Sequence, residues 1–113
     1  MISRYYRAVL MVVVLGAFVT VPLVNAYPTA SGNVSLAIDH VKQAVAHGKE
    51  GHVDELVKHA ETALDFAKMG GKSLEVSEGI QHLKEAIAHG KAGHADVGVE
   101  HLEVALKHLS EFN

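Results

Sequence analysis

The chain has no cysteine and no tryptophan, only two prolines, few aromatic residues and no surplus of positive charge. Without a thiol there can be no thiolate metal site, iron–sulfur cluster, disulfide or covalent c-type haem. Ten Lys and Arg against thirteen Asp and Glu give −3 with neutral histidines, so nothing resembles a basic footprint for nucleic acid. Aromatic residues at 5% offer no stacking surface for bases or sugars and no roomy pocket for non-covalent haem. No segment alternates apolar and polar residues with period two, so no strand is expected. Motifs of catalysis are missing as well: there is no His-Glu-x-x-His, no paired Glu-x-x-His and no serine or cysteine nucleophile constellation. A non-enzymatic role is the expectation.

What the chain does have is nine histidines, almost as many as all its lysines and arginines together. Eight of them obey one template. His40, His47, His52 and His59 recur at a constant offset of 42 as His82, His89, His94 and His101. The ninth, His108, extends the last heptad. Between the inner histidines of each copy lies a Gly-Lys-x-Gly turn, Gly48 to Gly51 and Gly90 to Gly93. A repeat of this length reads as one supersecondary unit used twice.

The first 26 residues read as an address. Arg4 and Arg7 precede an uncharged apolar run from Ala8 to Val24, and Val24-Asn25-Ala26 supplies the small residues of a cleavage site. Cleavage after Ala26 is expected, with Ala30 the second choice and an uncleaved membrane anchor the rival. The run is short for a span of about 20 residues, and Pro22 interrupts its end. Export without cysteine fits a bacterial periplasm better than a disulfide-built secreted domain. The mature 87 residues carry eight lysines against thirteen acids. An acidic, histidine-rich exported domain attracts cations and is poorly matched to membranes or nucleic acid.

Residues 27–33 then read as a short lead-in ending on Asn33 as a helix cap, and 34–113 as the bundle. Val34, Ala37, Ile38, Val41, Ala44 and Val45 recur at helical spacing, with Gly48 expected in the left-handed position after His47. A second helix from near His52 stops at Met69-Gly70-Gly71. A third, capped by Ser73, ends at Gly90, and a fourth runs from about His94 to Ser110. The expected fold is all-α: an up-down-up-down antiparallel four-helix bundle built from two repeated helical hairpins and preceded by a signal peptide. Gly79 and Gly98 fall inside helical patterns, where each costs about 1 kcal/mol relative to Ala, and the sequence supplies no reason for them.

On each helix the histidines lie one residue step from the centre of the apolar stripe, on the same rotational side. Reversing alternate helices makes such columns converge across every second seam. If those seams are the hairpins, the pairs are His47 with His52, His40 with His59, His89 with His94, and His82 with His101, successive pairs lying ~10.5 Å apart. If the bundle winds the other way, helix two meets three and helix four meets one. Glu55 and Glu85 share faces with neighbouring histidines, as does Glu78. Imidazoles with a carboxylate suit Cu(II) foremost, then Ni(II) or Zn(II), whereas Cu(I) is disfavoured without thiols. A lone histidine is more often a boundary residue than a ligand, and duplication copies four at once. Neither fact explains histidine at one flank position on all four helices.

His-x6-His-Gly-Lys-x-Gly-His-x6-His, present twice behind a signal peptide, resembles the small metal-binding protein family of periplasmic four-helix bundles. The resemblance covers essentially all of the mature chain. It implies a monomer that binds several divalent ions, Cu(II) above all, in copper buffering or detoxification. The ligands it implies are His40, His47, His52, His59, His82, His89, His94, His101 and His108. Family members are richer in histidine, including near the mature N-terminus, where Tyr27 to Asp39 has none, and Phe66 stands in the place matching His108. Fewer sites are therefore expected here. A second function class fits the same pattern: a pH-responsive helical interaction module worked by histidine protonation near neutral pH.

Overall fold

Hydroxyl side chains cap the first and third helices of this chain, and glycines of positive φ follow the first three. A computed structural model describes residues 28–112, so the expected signal peptide over residues 1–26 lies outside the described residues. Helix α1 spans Ala30–Lys49, α2 Val53–Lys68, α3 Leu74–Lys91 and α4 Ala95–Ser110. Thr29 caps α1, its Oγ1 accepting from the Gly32 amide at 3.0 Å. Ser73 caps α3 as expected, accepting from the Val76 amide at 3.2 Å. These bonds satisfy donors that a helix leaves free in its first turn.

Two expectations about helix ends are corrected. Asn33 is not a cap. It lies inside α1, buried, and its side-chain amide donates to the Met69 carbonyl at the far end of α2. The lead-in is therefore already helical from Ala30. Nor is Gly48 the left-handed residue: α1 runs on to Lys49, and Gly51 takes the positive φ of 81°. Gly93 does the same after α3, with φ of 84°. The Gly51 amide donates to the Gly48 carbonyl at 3.0 Å and the His52 amide to the His47 carbonyl at 2.9 Å. The second turn repeats both bonds, Gly93 to Gly90 and His94 to His89. This is the Schellman arrangement, in which the residue after the glycine folds back onto the last helical turn.

Each hairpin packs as a unit, α1 on α2 and α3 on α4, and the hairpins join along α2 with α3 and α1 with α4. The result is the expected all-α four-helix bundle. Among the described residues there is no strand, and no helix is long and apolar enough to cross a membrane. Leucines 56, 83, 102 and 109 are fully buried in one core with alanines and valines.

The inner glycines now have a cause. A Cβ on Gly48 would come within 2.5 Å of Leu56 and Val99, and one on Gly90 within 2.7 Å of Val57. A Cβ on Gly79 would meet Leu109 at 2.7 Å. A Cβ on Gly98 would lie 3.4 Å from Leu56 and from the Ala86 carbonyl oxygen, and Gly98 and Leu56 are equivalent positions of the repeat. Equivalent residues in contact lie near the pseudo-twofold axis between the hairpins. Two leucines would collide there, and one leucine against one glycine fills the space.

Candidate metal centre

The Schellman bond brings two imidazoles together before any long-range packing is considered. It joins His47 to His52 and His89 to His94 through the backbone. Those are the two positions that in such turns usually carry a hydrophobic contact. Here they carry histidine rings, with centroids 5.8 Å and 6.0 Å apart. Farther down each hairpin, His40 faces His59 and His82 faces His101, both at 5.5 Å. All four pairs therefore sit on the hairpin seams, which settles the choice of seam left open by the sequence.

The pairs are not separate rungs. His47 also stacks on His59, and His89 on His101, both at 5.4 Å. Helical side chains lean toward the N-terminus of their own helix. In an antiparallel hairpin the two columns thus lean in opposite directions, and rings from one side slide between rings of the other. The outcome is a continuous ladder in each half: His52, His47, His59, His40 and Phe66 in the first, His94, His89, His101, His82 and His108 in the second. Phe66 lies 5.8 Å from His40, just as His108 lies 5.7 Å from His82.

Two places along the ladders collect three potential ligands whose donor atoms all lie within 4.8 Å of one another: His82, Glu85 and His101, and His47, Glu50 and His52. In the first, the two Nδ1 atoms are 3.2 Å apart, and Glu85 Oε1 is 3.4 Å from His82 and 3.2 Å from His101. The point equidistant from the corners of such a triangle is about 1.9 Å from each, close to the roughly 2.0–2.2 Å of zinc–nitrogen and zinc–oxygen bonds. The three atoms could thus grip one ion with little rearrangement. At the second place, Glu50 Oε1 is 3.3 Å from His52 Nδ1. His47 Nδ1 is buried there without a hydrogen-bond partner among the described residues.

The remaining expected residues are distributed as follows. His40 and His59 have Nδ1 atoms 3.3 Å apart, with no third ligand gathered to them among the described residues. Burial first, then His40 and His47, hold the His59 pKa below its ordinary 6.5; Glu55 partly opposes this and Lys58 adds to it. A lowered value keeps the imidazole neutral, the form that coordinates. Glu55 itself pairs with Lys58 at 4.0 Å and falls outside both three-ligand groups. Among the described residues, His89 and His94 have no third ligand gathered to them either. His108 Nδ1 is 3.0 Å from Glu78 and 3.9 Å from Glu111.

Glu50 and Glu111 went unremarked in the sequence. Each stands three residues after a histidine, His47 or His108, the spacing that singles out Glu85 after His82, but just beyond the end of its helix. Glu50 also occupies the variable place of the Gly-Lys-x-Gly turn, two residues before His52, so its spacing from His47 was a signal the sequence offered.

With this geometry in view, comparison with known families is decisive. The model of the small metal-binding protein family matches residues 4–112. The chain belongs to that family. A search of curated proteins returns no match. Family membership and the His/Glu groups agree on metal binding, and the ladder shows how a family bundle of this composition gathers its donors.

Proposed function

We propose that this member of the family is an exported, non-catalytic holder of divalent metal, sequestering or buffering Cu(II) in the periplasm and also accepting Ni(II) or Zn(II). The observation that carries this reading is the His82, Glu85 and His101 triangle set within a ladder of further imidazoles. Nitrogen and carboxylate-oxygen donors without thiols select borderline divalent ions, and the general affinity order among these places copper highest. The ladders lie on the bundle's flank, partly open to water, which suits reversible uptake and release. The protein is read as a monomer whose partners are metal ions, with no role for nucleic acid or for a membrane after cleavage at Ala26.

Calorimetric titration of chelator-washed mature protein with Cu(II) at neutral pH tests the proposal. Saturable binding of more than one ion per chain is expected. Heat no greater than that of a variant with every histidine replaced by glutamine would overturn it. Export is tested separately, by the mass of the protein recovered from the periplasm: a chain beginning at Tyr27 is expected, and a full-length chain would refute the cleavage.

A further inference from the structure

The two ladders are built on one template, but they are not chemically equal. Moving from the second hairpin to the first by the offset of 42 replaces Glu85 with Gln43, Glu78 with Leu36, His108 with Phe66 and Glu111 with Met69. Every one of these changes removes a charge or a ligand from the lower seam of the first hairpin. The reverse holds beside the turns. There the first hairpin has Glu50 and Glu55 where the second has Ala92 and Val97. Carboxylates thus stand diagonally: low on the second hairpin and at the tip of the first.

The structure assigns an order of filling to these places, an inference that rests on the metal-holding reading above. The first ion binds His82, Glu85 and His101. The second binds His47, Glu50 and His52. The two pairs without a carboxylate, His40 with His59 and His89 with His94, fill last.

Three physical differences set this order. The lower site is drier: the side chains of His82, His101 and Glu85 are 28%, 26% and 43% exposed, against 58% for His52 and 65% for Glu50. Attraction between an ion and a carboxylate strengthens as water is excluded. The lower site is also better held. Its rings are sandwiched between those of His89 and His108, and Glu78 in turn fixes His108 through Nδ1. Such outer partners orient ligands and raise affinity. Finally, its three donors already converge at bonding range, whereas Glu50 projects from an exposed turn and must be ordered by the ion.

The test is nuclear magnetic resonance of the isotope-labelled mature protein, titrated with Cu(II), whose unpaired electron broadens signals close to it. Below one equivalent, signals of His82, Glu85 and His101 should vanish while those around His47 and His52 persist. Glu85→Gln should weaken the first binding step about 10-fold or more, since even outer-shell partners are worth 10–100-fold, and move early broadening to the tip of the first hairpin. Gln43→Glu should do the opposite, giving His40 and His59 the missing carboxylate and broadening them early. Because this second variant gains a function, it does not depend on a damaged fold. Simultaneous broadening in both hairpins, or an unchanged order in Glu85→Gln, would overturn the order while leaving metal holding intact. No broadening anywhere would remove both.

Discussion

The first hairpin, Ala30 to Lys68, and the second, Leu74 to Ser110, share histidine spacing, turn chemistry and ladder geometry. They differ in what surrounds that frame. Core volume is exchanged between them: Leu56 answers to Gly98, and Ala67 with Ala37 answer to Leu109 with Gly79. Seam chemistry is exchanged as well, with the carboxylates placed diagonally. Two identical hairpins would meet leucine with leucine at the shared axis and would present equal ion sites. Departing from identity lets the core close. The same departure makes the sites unequal, which allows stepwise filling where two identical sites would fill together.

The largest test of that difference lies at the axis. Leu56→Ala should cost about 2–5 kcal/mol, the range for emptying a buried leucine site, measured by urea unfolding followed by circular dichroism. Adding Gly98→Leu to that variant should restore part of the loss, because the new side chain enters the vacated space from the equivalent position. No recovery would mean that the two positions do not share one cavity.

A smaller effect separates two glycines that look alike in sequence. Gly98→Ala should stabilise by up to about 1 kcal/mol, the helix-propensity gain, since the added methyl finds ordinary contact distance at 3.4 Å. Gly79→Ala should give no such gain, because its methyl meets the fully buried Leu109 at 2.7 Å and overpacking costs roughly 1–3 kcal/mol. Equal melting temperatures for the two variants would contradict the packing described.

The pH dependence of the metal-free protein probes the first ladder. His59 has a lowered pKa in the folded chain, so below its ordinary value the unfolded chain takes up a proton that the folded one resists. Its contribution to stability is complete above pH 6.5 and is lost as pH falls from there to the lowered folded value. In chelator, His59→Gln should flatten this part of the stability profile. A profile just as steep in the variant would place the cause elsewhere.

The smallest effects should be equal in the two halves. Lys49 pairs with Glu103 at 3.1 Å and Lys91 with Glu61 at 3.0 Å, related positions tying the hairpins together. Both pairs are exposed, so Lys49→Ala and Lys91→Ala should each cost only about 0–1 kcal/mol and should weaken further in their effect at high salt. A clear inequality in chemical denaturation would mark one inter-hairpin seam as tighter.

Local order along the chain was enough to determine four helices, the Ser73 cap, two copies of one hairpin and a column of histidines on each helix flank, because helical period, capping and short turns act over a few residues. It even contained the turn that closes His47 on His52, although Gly51, rather than Gly48, supplies the left-handed backbone. Tertiary structure decided the rest. Which seam the columns share follows from the bundle's handedness, and handedness depends on how side chains from all four helices fill one core. The interleaving of rings and the need for glycine at 79 arise only where separate helices press against one another, and no spacing within a single helix encodes that.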